Sequence, residues 1–214
     1  MQNARLPLLV VWFLSLLLGA CVTQPPLSSV DRSRYRRMVV DPVEAPEHYV
    51  YRDITGQRSR GLMGGLVGLA LGAASEGPGF HRFDAAASRQ PVDIKFLVRS
   101  KVAAALRSSN LFTIVPANGD ATLHLKIYGY GVAPLDGRKV GGVISAMATL
   151  VGNDGKKLWQ KGESGVSQTS DFLEAYETNP GLWRRVADEA ADDLARKLIL
   201  YTEKSERQMS PLAR

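Results

Sequence analysis

The chain has 214 residues, of which 45% are hydrophobic, and its 27 Lys and Arg against 21 Asp and Glu give a formal charge of +6. That length suits one folded domain with a proper core plus appendages, and is short for two. The modest positive charge does not point to nucleic acid, and the single cysteine excludes a disulfide framework within the chain.

The first residues carry one charge, Arg5, followed by an uncharged apolar block from Leu8 to Leu18 and the small residues Gly19 and Ala20. This is the three-part layout of an export signal. The block is about eleven residues long, against the roughly 20 that a spanning helix needs, so a cleaved signal is expected rather than an anchor helix. Removing residues 1 to 20 from 214 leaves 194 and takes the charge from +6 to +5, since Arg5 is the only charge lost.

The residues Leu18-Gly19-Ala20-Cys21 resemble the lipobox of bacterial lipoproteins. That resemblance implies cleavage before Cys21, diacylglycerol on its thiol and an N-acyl chain on the new terminus, with no other cofactor expected. It also implies a destination, because an Asp after the cysteine retains such proteins at the inner membrane and here Val22 and Thr23 follow. The expectation is a protein lipid-anchored to the periplasmic face of the outer membrane, held stably because more than one acyl chain is attached.

Residues 21–35 read as a tether. Pro25, Pro26, Ser28 and Ser29 fall in a stretch without apolar period, so order is expected to begin near Tyr35. Arg32, Arg34, Arg36 and Arg37 follow close behind the lipid and are candidates for contact with phosphate headgroups or a partner. Solubility beside an interface explains them equally simply.

A first strand is expected over Arg37–Asp41, stopped by Pro42, and a second extended piece over His48–Arg52. Residues 61–75 then form a charge-free, glycine-rich insert in which Gly64, Gly68 and Gly72 fall every fourth residue. On a helix these would line one face and admit another backbone, as a glycine zipper does. At about 1 kcal/mol per glycine relative to alanine, such a helix needs something packed against it. Membrane or partner contact, homo-oligomer formation and a plain connector all remain open at this point.

From Asp93 to Ser109, Ile94, Val98, Val102 and Ala105 recur at helical spacing, with Lys95, Arg99 and Arg107 on the other side. A short strand follows over Phe112–Val115. Strict alternation from Ala121 to Tyr130 predicts a strand with Leu123, Leu125 and Ile127 inward and His124, Lys126 and Tyr128 outward. Strands over Val143–Val151 and Lys157–Val166 are joined at Asp154-Gly155, a hairpin signal.

The last helix starts at Asn179-Pro180 and runs to about Glu203, burying Leu182, Val186, Ala190, Leu194 and Leu198. Residues 205–214 remain as a tail. The elements add up to an α+β fold: a two-layer domain over residues 36–204, with an antiparallel sheet of four to five strands and two helices on one face. From Arg37 to Glu203 this element order resembles small α/β envelope lipoproteins, among them the lipopolysaccharide-assembly lipoprotein and the TolB amino-terminal domain. Element order implies no particular site residue.

Chemistry finds little support. His48, His81 and His124 lack metal-ligand spacing. Gly162-Glu163-Ser164-Gly165 lacks the spacing of a nucleophile elbow and sits in a strand. The glycine stripe has neither the dinucleotide nor the P-loop pattern. Asp171, Glu174 and Glu177 could share a face, where solvated carboxylates are the simplest reading, and Asp192–Arg196 and Asp193–Lys197 are expected as i,i+4 pairs. The expectation is a non-enzymatic, membrane-anchored binding or accessory protein for envelope assembly or transport, meeting an envelope protein or lipid. The alternative is an oligomer-forming or membrane-active lipoprotein built on the glycine stripe.

Overall fold

The computed structural model describes residues 27, 29–47, 50–51 and 78–208. Cys21 with the expected export signal, His48, the glycine stripe with Gly64, Gly68 and Gly72, and residues 209–214 lie outside the described residues.

Eleven elements follow one another among the described residues: α1 (Ser29–Arg34), β1 (Arg37–Val40), β2 (Val50–Tyr51), α2 (Pro78–Ser88), α3 (Ile94–Ser108), β3 (Thr113–Ile114), β4 (Ala121–Asp136), β5 (Lys139–Gly152), β6 (Lys157–Asp171), α4 (Leu173–Thr178) and α5 (Pro180–Gln208). The sheet order is β3-β1-β4-β5-β6, with β2 also on β4. The expected α+β fold is present, and the three long strands are antiparallel as expected. The expectation of a wholly antiparallel sheet is corrected: β1 runs parallel to β3 and β4, and β2 parallel to β4, so the sheet is mixed.

The physical reason lies in residues 37–51, which track β4 along most of its length. Met38 stands beside Ala121, Glu44 beside Lys126 and Val50 beside Gly131. Pro42 and Pro46 cannot donate to a ladder, so one parallel path is cut into two short strands. Between them the Asp41 and Glu44 amides still donate to Leu123 and Leu125 carbonyls at 3.1 and 3.0 Å.

Helices α3 and α5 cover one face of the sheet. Asp93 caps α3 by accepting from the Phe96 amide at 2.9 Å, and Ile94, Val98, Val102 and Leu106 are buried. On the strands, Leu123, Leu125, Ile127, Ile144, Ala146, Ala148, Leu150 and Trp159 point into the same core. Helix α5 lies close because two glycines clear its path. A Cβ on Gly142 would come within 2.7 Å of the Val186 carbonyl carbon, and one on Gly165 within 2.6 Å of the Leu194 nitrogen. The expected stripe Leu182, Val186, Ala190, Leu194 and Leu198 is buried throughout.

Other expectations need correction. Structure is present before Tyr35, where none was expected: Leu27 is buried in the core and α1 precedes β1. Strands β4 and β5 extend to Asp136 and back from Lys139, through glycines that broke the expected alternation. Helix α5 runs to Gln208, past Glu203. Helices α2 and α4 were not anticipated. Phe83 of α2 fixes the pair by packing edge-on to Tyr176 at 6.0 Å and Trp183 at 5.2 Å between ring centroids.

Candidate docking surfaces

One end of the sheet gathers the start of the domain. Here α1, the first residue of β1, the loop before β4 and the β5–β6 turn meet. The Tyr35 hydroxyl donates to Asp154 Oδ2 at 2.9 Å, and its ring closes against Gly152. The Arg37 amide donates to Asp120 at 2.9 Å, and the Asn153 amide donates to the Asp120 carbonyl at 2.9 Å. Hydrogen bonding to Asp154, with burial behind it, pushes the Tyr35 phenol above its ordinary range. The Lys156 amide and then the Tyr35 hydroxyl hold the Asp154 carboxyl below the usual carboxylate range.

Arg32, Arg34, Arg36 and Arg37 fall at this end. Arg34 stacks over the Tyr35 ring at 5.4 Å and reaches Asp154 at 3.9 Å, while Arg36 and Arg37 are exposed. Arg32 belongs to α1, and its side chain lies outside the described residues. Lys156, which sequence reading did not select, joins them across the β5–β6 turn at 3.9 Å from Asp31, and the next residue, Lys157, is exposed and donates to Gln160 Oε1 at 3.1 Å. Their closeness comes from pairing across more than a hundred residues, which no local pattern shows.

The sheet face opposite the helices carries Thr122, His124 and Lys126 on β4, Met147 and Thr149 on β5 and Gln160 on β6. His124 Nδ1 lies 2.8 Å from Asp41, and Lys126 3.4 Å from Glu44, so part of this face is tied to residues 41–44.

Strand β6 forms one sheet edge, and α5 closes half of it. The Val166 amide donates to Asp193 at 3.0 Å, the Thr169 amide to Glu189 at 2.7 Å, and Lys197 donates to the Ser164 carbonyl at 2.8 Å. Backbone groups alternate sides along a strand, so Gln160 and Gly162 point the same way as Ser164 and Val166, outward from β5. No strand among the described residues pairs with that stretch.

A cavity of about 30 Å³ lies between the sheet and α5, lined by Leu27, Met38, Phe112, Leu150, Trp159 and Leu198 among others. Its lining is apolar, and it has room for a small group and not for a lipid chain. The Trp159 indole N–H is buried nearby without an acceptor among the described residues.

Side chains that could suggest chemistry are tied to one another. Glu174 and Glu177 close on Arg82, at 3.3 and 2.6 Å, rather than sharing a cation. Hydrogen bonding to Arg82 lowers the Glu177 pKa, and the Glu177 bond raises that of Arg82. Lys101 bridges Asp188 at 2.8 Å and Asp192 at 3.0 Å. Burial works against its charge, yet the two carboxylates keep its pKa raised. The expected Asp192–Arg196 pair is therefore corrected: Asp192 turns to Lys101, and Arg196 reaches Asp193 at 3.4 Å. The Asp193–Lys197 pair is present at 2.6 Å. Burial raises the Tyr176 pKa, and its hydroxyl donates to the Val140 carbonyl at 2.8 Å. Among the described residues no group of three His, Cys, Asp or Glu could hold a metal ion, and no helix is long and apolar enough to cross a membrane.

The fold and these surfaces define an α+β domain with one basic end and a short strand edge that no described strand pairs. No family model and no curated protein matches the chain. Among solved structures it is similar to protein XCC0632 of Xanthomonas campestris, of family model DUF330, at 11% identity and TM-score 0.48, over 87% of this chain and 95% of that one. It is also similar to the PelC dodecamer of Paraburkholderia phytofirmans, at 11% identity and TM-score 0.44, over 84% and 94%. A third is lipoprotein GNA1162 of Neisseria meningitidis, at 14% identity and TM-score 0.34, over 60% and 81%. Likenesses this slight leave the reading of function to the residues.

Proposed function

We propose that the chain is a non-enzymatic envelope lipoprotein. Lipid on Cys21 holds it to the periplasmic face of the outer membrane, and its domain binds a protein partner in envelope assembly or transport. The anchor rests on the Leu18–Cys21 motif and the export signal before it.

The binding role rests on one observation, the short edge at Gln160 and Gly162. Outward N–H and C=O groups there suit a partner segment that adds as a strand. Asp193, Glu189 and Lys197 close the adjoining stretch, so the added strand is confined to the first half of β6.

A photo-crosslinking side chain at Gln160 in intact cells is expected to trap a discrete partner, and one at Thr169, on the closed half, is not. Gly162→Pro removes an outward N–H that β5 does not use and is expected to abolish the product. Equal yields at both positions, or a product that survives Gly162→Pro, overturn the strand-addition reading. A ladder of homo-oligomers would support assembly through the glycine stripe instead.

A further inference from the structure

We infer that the basic end of the sheet is a second membrane contact: Arg36, Arg37, Lys156 and Lys157 seat the domain on anionic lipid headgroups in a fixed orientation. The inference deepens the lipid-anchor reading and takes from it the direction in which this end faces.

Chain length supplies the first argument. Six peptide units separate Cys21 from the buried Leu27, a reach of at most about 21 Å at 3.5 Å each. Helix α1 follows directly, and Tyr35 bonds to Asp154 at its far side. A lipid on Cys21 therefore keeps this end of the domain within reach of the bilayer surface. The opposite end lies about 35 Å away, since Ala121 and Val132 are eleven residues apart along β4.

Charge supplies the second. Arg34, Arg36, Arg37, Lys156 and Lys157 meet here with three acids, Asp31, Asp120 and Asp154. The acids are engaged: Asp154 by Tyr35, Asp120 by the Arg37 amide, and Asp31 faces Lys156. No carboxylate among the described residues pairs with the side chains of Arg36, Arg37 or Lys157; all three are exposed, and Lys157 donates to the neutral Gln160 side chain at 3.1 Å, which leaves its charge uncompensated. Each basic residue near an anionic surface strengthens partitioning about fivefold, which corresponds to about 1 kcal/mol. The Tyr35–Asp154 bond ties α1 to the β5–β6 turn, so the arginines and lysines present as one surface.

The test uses the chain from residue 21 with Cys21→Ser, so that no lipid contributes, and vesicles of phosphatidylethanolamine with phosphatidylglycerol at low salt. Parent protein is expected to cosediment with them, and not with vesicles of neutral lipid only. Changing Arg36, Arg37, Lys156 and Lys157 to Gln is expected to weaken partitioning at least tenfold. The same charge change at Arg138, Lys139, Arg184 and Arg185 is expected to alter it less than twofold. The double variant Lys156→Gln/Lys157→Gln, confined to an exposed turn, keeps the test valid if the quadruple variant misfolds, with a loss of at least threefold expected. Absence of parent binding, or equal losses in both quadruple variants, overturns the inference. The mass of the native protein extracted from membranes reports lipidation separately, so a failure of the anchor reading is distinguished from a failure of the basic end.

Discussion

The Tyr35 hydroxyl and the Asp154 carboxylate meet at 2.9 Å across 119 positions of sequence, joining the entry of the chain to the β5–β6 turn. The bond fastens the residue that follows α1 to the far side of the sheet. It also leaves a signature in pH. Because the Asp154 carboxyl sits below its ordinary range, its contribution to stability is present above about pH 4 and is lost as pH falls through the folded value. The Tyr35 phenol sits above its ordinary range, so its contribution is present below about pH 10 and is lost as pH rises further. Tyr35→Phe is expected to lower Tm at pH 7, with the gap from the parent narrowing below pH 4. A gap that stays constant from pH 7 to 2.5 would count against the pair.

Leu27 lies in the core beside Trp159 and Leu198, ahead of every predicted element. Leu27→Ala is expected to cost about 2 to 4 kcal/mol, as truncation of a buried leucine does. A simple tether residue would cost less than about 0.5 kcal/mol, and urea denaturation separates the two.

Gly165 lets the α5 backbone rest on β6, where an added Cβ would overlap the Ala190 carbonyl oxygen. Gly165→Ala is expected to destabilise the domain by about 1 to 3 kcal/mol through overpacking. Gly155→Asn, in the open β5–β6 turn with φ +77°, is expected to be far milder, since Asn tolerates that conformation. Chemical denaturation of both variants checks the contrast.

Glu189 accepts from both the amide and the hydroxyl of Thr169, each at 2.7 Å. Glu189→Ala leaves a half-buried amide on the sheet edge without its acceptor, with an expected loss of about 1 to 3 kcal/mol. It also opens the closed half of β6, so light scattering of the variant on heating is expected to show earlier self-association. Glu189→Gln keeps an acceptor and is expected to lie between variant and parent.

Local patterns carried much of the fold. The alternation of Leu123, Leu125 and Ile127, the stripe Ile94, Val98 and Val102, and the Asp154-Gly155 turn each state their structure within ten residues. Helix α2 was not anticipated, although Pro78 stands at its first position as Pro180 does in α5. Helix α4, six residues long, owes its place to Arg82 and Phe83, contacts without a local signal.

The sequence by itself determined the α+β class, the registers of the inward faces and the expectation of a lipid anchor at Cys21, because periodicity and a contiguous motif are properties of neighbours along the chain. Only tertiary structure decided that residues 37–51 run parallel to β4, that the β5–β6 turn with Asp154 and Lys156 meets α1 and Tyr35, and that α5 closes half of the β6 edge. Each depends on which distant backbones come within hydrogen-bonding range, and that is set by how the two layers bury their apolar faces together.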